Sequence, residues 1–529
     1  MSGLVAFGPG APPGPVPPVE EVGNKAWHLI QLAGAGLPVP PGFVVGTRHC
    51  AATLATGRLA PELRADILAQ VTQLEQRTGQ GFGSRRRPLL VSVRSGAAQS
   101  MPGMMDTLCD VGLTPEQEPA FLRATGNAHL FWDSLRRLVA AFAVVVRGAP
   151  AAPFEALLQA ALLEAGVPHE AELDVHQLRR LATRSLQAFE AATGGPFPAD
   201  PAGQLLEAIE AVFRSWQSPR AQQYRRLHGL DDRAGTAVTV QAMVFGNRGG
   251  TSGSGVGFTR DPATGAPGLY LDFLTGAQGE DLVSGRRTAA GATELAQLFP
   301  SVHAELAGLA RTLEALFGDV QDIEFTVEQG KLYLLQSRAA KRTRLALLRS
   351  TLDLAREGII PRAEARARLA GLAADELVLE TVRGAHGLHR LATGIPASPG
   401  VVSGPLALDS ARAVELAEAG QAPVLVRPDT STADLAGMAV ARGILTAEGS
   451  RTSHAALVAR QLGVVAVVGC GAVAVDLERR CCRVGPALLH EGDILSLDGS
   501  AGDVYAGPVT VVRERPEALL AELAELRTA

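Results

Sequence analysis

The chain has 529 residues, 47% of them hydrophobic, and a formal net charge of −5. This length predicts several domains with large cores, and the composition is not that of a disordered or nucleic-acid-binding protein. Five cysteines without zinc-site spacing indicate a reducing compartment. Because we find no signal-peptide pattern and no run of 18 apolar residues, we expect a cytoplasmic protein without a nucleic-acid or membrane partner.

The first predicted element is a short strand at Leu4–Phe7, followed by a loop rich in proline and glycine. From Val22 to about Arg338, helices and strands alternate irregularly, which predicts an α+β or mixed α/β region. Residues 150–203 within this region predict an inserted helical unit.

Two loops in this region have the small residues that let backbone amides approach phosphates. The first, Gly96 to Gly103, follows an apolar strand that ends at Arg94, whose guanidinium can bind two phosphate oxygens at once. The second is the glycine-rich segment 246–260. A single loop of this kind is more often an ordinary turn, and neither has the G-x-x-x-x-G-K-[ST] pattern. Lysine is rare, with three lysines against forty-six arginines, so Lys25 is more informative than usual.

Residues 320–338 predict a β-hairpin by their alternation and their Gln-Gly turn. One face carries Asp322, Glu324 and Thr326, and the other, predicted to face the core, carries Ile323, Phe325 and Val327. Carboxylates facing a nucleotide site suit Mg²⁺, which prefers oxygen ligands together with phosphate.

The length of the turn decides which residues share the carboxylate face. A two-residue turn would place Gln336 on the other face of the hairpin from Glu324. A three-residue loop, Glu328–Gly330 with Gly330 left-handed, would bring Gln336 and Arg338 to the face that carries Asp322 and Glu324. We predict the three-residue loop, because a metal and phosphate site needs these groups together.

Residues 339–391 are rich in Arg, Ala, Leu and Glu and predict a helical connector. Residues 394–512 predict a second, small α/β domain, with strands near 423–426, 464–468 and 493–497. The tail, residues 516–529, predicts one amphipathic helix.

Within the second domain, Thr446–Gly469 predicts a small-residue turn, an amphipathic helix and a buried valine-rich strand. Thr452 or Ser453 is a suitable N-cap, so His454 is predicted in the first turn, where free N–H groups and the helix dipole favour an anion. Arg451 adds a positive charge. An imidazole in this setting suits a phosphoryl carrier, although a histidine can also simply begin a helix.

These motifs together resemble the enzymes that use phosphoenolpyruvate, and pyruvate phosphate dikinase in particular. The similarity covers nearly the whole chain. It includes the hairpin, the His454 segment and the segments 23–25, 36–43, 94–107, 213–216, 241–247 and 277–281. Two departures lie in the His454 segment: Ser450 stands for glycine, and Arg451 for the methionine of dikinases, as in the synthases. Two others, Leu271-Asp272 for Gly-Glu and Gly276 for asparagine, concern local substrate contacts more than ATP binding.

The resemblance implies a multidomain α+β / α/β protein. Residues 1–340 would form an ATP-grasp-like nucleotide-binding domain, and residues 341–392 a helical linker. Residues 393–512 would form the small, swivelling α/β phosphohistidine domain, called the PEP-utilising mobile domain, and 513–529 a C-terminal helix.

The resemblance also implies roles for individual residues, with His454, Arg94 and Arg338 as the catalytic set. ATP would bind to Lys25, Arg94, Gly103, Met104, Gln241, Glu280 and Arg338. Mg²⁺ would bind to Asp322, Glu324 and Gln336, and phospho-His454 would be supported by Arg451, Thr452 and Ser453. Two simpler alternatives stay open: Glu280 could pair with Arg286 or Arg287, and Asp322 could be a solvated strand residue.

The implied reaction transfers the β-phosphoryl group of ATP through phospho-His454 to an acceptor, forming AMP. Phosphate, or water in a synthase-like reaction, takes the outer phosphoryl group, and pyruvate is the expected final acceptor. A pyruvate-binding barrel needs on the order of 250 residues, and few residues follow Val512, so we expect a separate barrel protein to hold pyruvate. The alternatives are another acceptor, such as a small molecule or antibiotic, and a non-catalytic nucleotide sensor.

Overall fold

The structure is a computed structural model. It describes residues 3–99, 101, 104–283, 289–384 and 389–528, without the side chains of residues 227, 228, 280, 283, 376 and 432. The chain divides into two compact units: unit 1 comprises Met1–Ser252 and Phe325–Ser337, and unit 2 comprises Gly253–Glu324 and Arg338–Ala529. Gly103 and the side chain of Glu280, both predicted to bind ATP, lie outside the described residues.

Unit 1 is built on an antiparallel five-stranded sheet with the order β1-β2-β7-β5-β6. Its strands, with a further short parallel pair β3–β4, are β1 (Leu4–Phe7), β2 (Gly42–Val45), β3 (Gly81–Phe82), β4 (Pro88–Leu89), β5 (Val91–Gly96), β6 (Thr107–Val111) and β7 (Ala237–Ala242). The predicted first strand is confirmed. Alternating apolar residues of these strands pack into one large core with the surrounding helices.

The helices of unit 1 are α1 (Val19–Gly34), α2 (Arg48–Thr56), α3 (Pro61–Thr78), α4 (Glu118–Thr125), α5 (Ala128–Ala141), α6 (Ala152–Ala165), α7 (Val175–Thr193), α8 (Pro201–Ser215) and α9 (Pro219–His228). Helices α6 and α7 lie within the predicted helical insert, and Asp174 and Asp200 cap the starts of α7 and α8. The insert is therefore helical as predicted.

Unit 2 begins with β8 (Gly253–Arg260) and β9 (Pro267–Thr275), an antiparallel pair in which Phe258 lies opposite Tyr270. A Cβ atom on Gly257 would lie 2.5 Å from the Cβ of Leu271, so glycine lets the two strands approach closely. Residues 253–260, predicted as part of a phosphate-covering loop, are thus strand. The helices α10 (Gly279–Val283), α11 (Ala292–Leu298) and α12 (Pro300–Phe317) follow.

The hairpin strands are β10 (Gln321–Glu328) and β11 (Lys331–Ala339), and the division between the two units cuts through both. The turn consists of Gln329 and Gly330, with φ of 51° and 78°. Both residues are left-handed, as in the two-residue turns that match the twist of a hairpin. The predicted three-residue loop is therefore wrong. The turn alone does not set the face, because the side chain of Arg338 reaches that of Asp322 at 2.8 Å. The placement of Gln336 on the Glu324 face stays a prediction.

The predicted helical connector is only partly helical. Helices α13 (Arg344–Arg356) and α14 (Arg362–Arg368) pack with the C-terminal helix α18 (Glu517–Thr528) around a common leucine-rich core. Beyond them, β12 (Leu379–Val382) pairs antiparallel with β24 (Val511–Glu514), so the helical prediction is wrong for this stretch. The strand pair joins the chain entering the last domain to the chain leaving it.

The last domain contains an eight-stranded sheet with the order β13-β23-β22-β15-β16-β17-β18-β14, and a three-stranded sheet, β19-β20-β21. The strands are β13 (Arg390–Thr393), β14 (Ile395–Ser398), β15 (Val401–Ala407), β16 (Val424–Arg427), β17 (Gly443–Thr446), β18 (Val465–Val468), β19 (Val473–Asp476), β20 (Cys481–Val484), β21 (Ala487–His490), β22 (Ile494–Asp498) and β23 (Asp503–Ala506). The helices are α15 (Ser410–Glu418), α16 (Leu435–Val440) and α17 (His454–Leu462). The predicted strands and tail helix are confirmed. Among the described helices, none has the length and apolar character that crossing a membrane requires.

Candidate active site

The helix α17 begins at His454. Ser453 precedes it in an extended conformation, and its hydroxyl oxygen accepts a hydrogen bond from the N–H of Ala456 at 3.4 Å, while Gly463 ends the helix with a left-handed φ of 68°. Of the two N-caps considered, Ser453 is confirmed. His454 therefore lies in the first turn, where unpaired N–H groups stabilise negative charge.

The imidazole of His454 is half-buried, and its Nδ1 lies 3.3 Å from the hydroxyl oxygen of Thr430. Burial lowers the pKa of His454 below its ordinary value, and the carboxylates of Asp429 and Asp434 only partly oppose this shift. The ring is therefore neutral near pH 7. In the tautomer in which Nδ1–H donates to Thr430, Nε2 carries the free lone pair of a nucleophile.

The loop before His454 is held by Asp272, a fully buried residue of β9. One carboxylate oxygen accepts from the N–H of Thr452 at 3.0 Å and from its hydroxyl at 3.1 Å. The other oxygen lies 3.2 Å from Nη1 of Arg451. The hydroxyl of Ser450 lies 3.2 Å from that of Thr452 and extends this polar network. Arg451 and Thr452 thus bind a carboxylate rather than free solvent.

In unit 1 the conformation of Gly23 sets the position of Lys25. Gly23 interrupts α1 with φ 75° and ψ 156°, and a Cβ atom there would lie 1.8 Å from the carbonyl oxygen of Gly96. The next residue, Asn24, donates its N–H to the carbonyl of Ala97 at 2.9 Å. This close approach, which only glycine allows, places half-buried Lys25 beside the end of β5, where the predicted phosphate loop begins.

Other predicted ATP-binding residues lie on or near the same sheet. Arg94 is on β5, partly exposed, with Nη1 3.4 Å from the carbonyl oxygen of Leu335. Gln241 is buried on β7 and donates to the carbonyl of Pro40 at 3.0 Å, so its amide nitrogen is already bonded. Met104 is buried and packs into the core of unit 1. Lys25 and Arg94 thus lie near the same end of β5, and ATP binding by Gln241 and Met104 stays a prediction.

In unit 2 the hairpin carries a carboxylate pair. Asp322 is buried and forms an ion pair with Arg338 at 2.8 Å, which excludes the solvated-residue alternative. Burial raises the pKa of Asp322, Arg338 opposes this shift, and the nearby charge of Glu324 adds to it. Burial and mutual repulsion disfavour the charged forms of these two carboxyl groups, so a bound cation would stabilise them.

The hairpin carboxylates fit a magnesium ion that also binds phosphate oxygens. Among the described residues, no group of three or more His, Cys, Asp and Glu side chains could hold a metal ion alone. Mg²⁺ at nucleotide sites needs only one or two carboxylates, because phosphates and water complete its six ligands. Asp322 and Glu324 satisfy this requirement.

Comparison with known proteins decides the family. Residues 59–297 and 294–353 match the family described as "Pyruvate phosphate dikinase, AMP/ATP-binding domain". Residues 420–502, which include His454, match "PEP-utilising enzyme, mobile domain". The chain belongs to the pyruvate phosphate dikinase family. The resemblance inferred from the sequence motifs is thereby confirmed, as is the mixed α/β fold with an ATP-grasp-like nucleotide-binding domain and a mobile domain.

Three curated relatives are named pyruvate, phosphate dikinase. The chain is 41% identical over 523 residues to that of Rhizobium meliloti (strain 1021), covering 96% of this chain and 58% of the relative. It is 42% identical over 492 residues to that of Clostridium symbiosum, covering 92% and 56%. It is 41% identical over 504 residues to pyruvate, phosphate dikinase 2 of Zea mays, covering 95% and 57%. The chain thus spans little more than half the length of these dikinases.

Sequence reasoning missed two residues of the histidine region, Thr430 and Arg460. Thr430 follows β16 in a polar turn, where no helix or strand periodicity in the sequence indicates which way its side chain points. Arg460 could have been found, because it lies on the apolar face of α17 with Ala456 and Ala459. A charged residue on an apolar helix face requires partners inside the protein. Asp272 was recognised only as a departure from the dikinase pattern, and its contact with Thr452 could not be inferred.

Proposed function

We propose that this chain transfers the β-phosphoryl group of ATP to Nε2 of His454 and then to an acceptor, with pyruvate as the first candidate. The observation that carries the proposal is a half-buried imidazole at the start of a helix, with Nδ1 3.3 Å from the hydroxyl oxygen of Thr430. Membership in the dikinase family supports the proposed donor and acceptor.

The proposed first step is an in-line displacement. The lone pair on Nε2 attacks the β-phosphorus, the bond from this phosphorus to the oxygen bridging to the α-phosphate breaks, and AMP leaves with that electron pair. The product is a diphosphorylated His454 whose Nδ1 keeps its proton, with the hydroxyl oxygen of Thr430 as an acceptor at 3.3 Å. The helix start favours the negative charge on the attached group.

Lys25 and Arg94 are proposed to bind and orient the phosphates of ATP, with Arg338 contributing to the same task. A magnesium ion held by Asp322, Glu324 and Gln336 would neutralise charge on the triphosphate. Positioning and electrostatics account for most of the catalysis in phosphoryl transfer.

Two further transfers complete the proposed cycle. Inorganic phosphate attacks the outer phosphorus, forming pyrophosphate and leaving phospho-His454. The enolate oxygen of pyruvate, after loss of a methyl proton, then takes the remaining phosphoryl group, and the electron pair of the P–N bond returns to Nε2. We propose that a separate barrel protein binds pyruvate, and that the reaction takes place in the cytoplasm.

Labelled ATP tests the proposal. Incubation with β-labelled or γ-labelled ATP should place acid-labile label on the protein and form AMP, and phosphate should then remove only the γ label. His454→Ala should abolish labelling, whereas His490→Ala, which changes an exposed histidine of the same domain, should retain it. Binding of ATP without labelling, or labelling that survives His454→Ala, would contradict the proposal. Addition of pyruvate with a candidate barrel protein should discharge the β label into phosphoenolpyruvate.

A further inference from the structure

Arg460 is a buried cation on the helix that begins at His454. Its side chain is only 2% exposed, on the face of α17 that packs inward with Ala456 and Ala459. Burying a guanidinium is costly unless its donors are satisfied. Burial lowers the pKa of Arg460, while Tyr270, Asp322, Asp261 and Asp272 oppose this shift. The cost indicates that this position needs the donors of arginine.

The donors of Arg460 connect the helix to two separate backbone segments. Nη1 donates to the carbonyl of Ala397 on β14 at 2.9 Å, and Nη2 donates to the carbonyl of Arg451 at 3.0 Å. Nε is buried and has no hydrogen-bond partner among the described residues. The fixed fork of a guanidinium can hold two carbonyl groups at a set separation, which the single ammonium group of lysine cannot do.

One of these carbonyls belongs to the loop before His454. Arg451 is followed by Thr452, whose N–H and hydroxyl bind Asp272, and by Ser453, which caps α17. A bond to the carbonyl of Arg451 therefore fixes the peptide unit whose N–H belongs to Thr452. Arg460 and Asp272 hold the same peptide unit from its two sides, the carbonyl and the N–H.

The surroundings of Arg460 extend to the β8–β9 pair. The guanidinium carbon lies 5.5 Å from the ring centroid of Phe258, within the range of a cation–π contact. Tyr270 donates its hydroxyl to the carbonyl of Pro396, next to Ala397, at 3.1 Å. Burial raises the pKa of Tyr270 to about 12, so its ring is neutral near pH 7. Arg460 thus contacts β14 and β8, and β8 pairs with β9, the strand that binds the His454 loop through Asp272.

We propose that Arg460 is a positioning residue for phosphorylation of His454. It holds the carbonyl of Arg451, and through this peptide it keeps Thr452 on Asp272 and the start of α17 in the orientation that presents Nε2. Arg460 itself contacts no reacting atom. This inference rests on the proposed function, in which His454 receives the phosphoryl group of ATP.

Single-turnover kinetics give the first test. Arg460→Met keeps an apolar side chain of similar length but removes both donated bonds, so the rate of His454 labelling at saturating ATP should fall about 10- to 100-fold. The half-saturating ATP concentration should stay within about twofold, because Arg460 donates its hydrogen bonds to the carbonyls of Ala397 and Arg451 and not to the proposed phosphate ligands Lys25, Arg94 and Arg338. The labelling rate of Arg460→Lys should lie between those of Arg460→Met and the unmodified protein. Arg479→Met, at an exposed position, should label at the unmodified rate. An unchanged labelling rate in Arg460→Met would overturn the proposal.

Hydrogen exchange of the protein without ATP gives the second test. In Arg460→Met and Arg460→Lys, the amide of Thr452 should exchange faster, while strands β20 and β21 of the same domain should exchange as before. Faster exchange throughout the domain would show a general structural role and overturn the proposal, as would slow labelling with unchanged exchange at Thr452. If the unmodified protein were not labelled by ATP at all, the proposed function would fail. Unchanged exchange of the Thr452 amide in the Arg460 variants would, independently of labelling, exclude the role of Arg460 in holding the loop.

Discussion

The buried carboxylate of Asp272 binds both the N–H and the hydroxyl of Thr452, two residues before His454. The same carboxylate pairs with Arg451, so three groups of one loop converge on one side chain of β9. Hydrogen bonds to a charged acceptor contribute more than neutral ones, about 1.5–3 kcal/mol each. Asp272 therefore stabilises the position of the His454 loop against the β8–β9 pair.

Asp272→Asn should slow phosphorylation of His454. The amide keeps the shape of the side chain but removes the negative charge, so Arg451 loses its ion-pair partner. We expect the single-turnover labelling rate to fall about 10-fold, which corresponds to about 1.4 kcal/mol, with little change in ATP affinity. Asp476→Asn, at a more exposed aspartate of the same domain, is the matched control and should label normally. Equal rates in the two variants would contradict a role for Asp272.

The elements of this fold were largely predictable, because their signals are local. The valine-rich strand after α17, the capping serine before it and the small residues of its turn act within a few neighbours along the chain. The same holds for β5, the strand that contains Arg94. The turn of the hairpin differs from the prediction, because Gln329 and Gly330 both adopt left-handed conformations and close a two-residue turn. A shared metal face does not by itself fix the length of a turn.

The contacts that position the site were not predictable, because they join residues distant in sequence. Asp272 and Thr452 are separated by 180 positions, and nothing in either segment specifies the other. The partner of Asp322 shows the same limit, since the strand pattern indicated its face but not the ion pair with Arg338. Local chemistry indicated only that His454 suits a phosphoryl carrier, and the family resemblance singled it out. The tertiary structure was needed to find the groups that hold it.

The rate of His454 phosphorylation should fall on the acid side of pH 6.5. Burial lowers the pKa of His454 from its ordinary value of 6.5, so the neutral nucleophile persists at that pH and is lost as the pH falls through the lowered pKa. The carboxylate of Asp429, which is exposed, raises this pKa. Asp429→Asn should therefore move the acid limb to lower pH, as measured by single-turnover labelling between pH 5 and 8.

The control for this profile is Asp375→Asn, at another exposed aspartate of unit 2. It should reproduce the profile of the unmodified protein. A shift of the acid limb to higher pH in Asp429→Asn would contradict the assigned electrostatic effect. An acid limb unaltered by either substitution would mean that the limb reports a group other than His454.

Removal of Arg260 should destabilise unit 2. This buried residue of β8 donates to Glu314 of α12 at 2.8 Å and to Glu357 at 2.6 Å. Although burial acts against it, the hydrogen bonds and charges of both carboxylates raise the pKa of Arg260. Arg260→Met leaves Glu314 buried without its cation, so we expect the free energy of unfolding to fall by about 3–5 kcal/mol.

The positions of the tryptophans allow the unfolding of unit 1 to be followed separately by fluorescence. All three tryptophans, Trp27, Trp132 and Trp216, lie in unit 1. In urea unfolding, Arg260→Met should shift part of the transition followed by far-ultraviolet circular dichroism, to which both units contribute. The transition followed by tryptophan fluorescence should stay nearly unchanged. Arg356→Met, which removes an exposed arginine of α13 paired with Asp353, should leave both transitions nearly unchanged, because an exposed ion pair contributes little. Equal costs for the two variants would exclude the buried network as a major stabilising element.

Substitution of Gly23 should disturb the placement of Lys25. The φ of 75° and ψ of 156° at Gly23 belong to a region that is almost restricted to glycine, and an added Cβ would lie 1.8 Å from the carbonyl oxygen of Gly96. Gly23→Ala should therefore cost at least about 1–3 kcal/mol in stability and raise the half-saturating ATP concentration about 10-fold or more, as measured by labelling at varied ATP. Gly34→Ala is the matched control, because Gly34 lies in the same helix with open space around its Cα. It should be neutral or stabilising by up to about 1 kcal/mol. Normal ATP dependence in Gly23→Ala would mean that the approach of α1 to β5 does not place Lys25 for ATP binding.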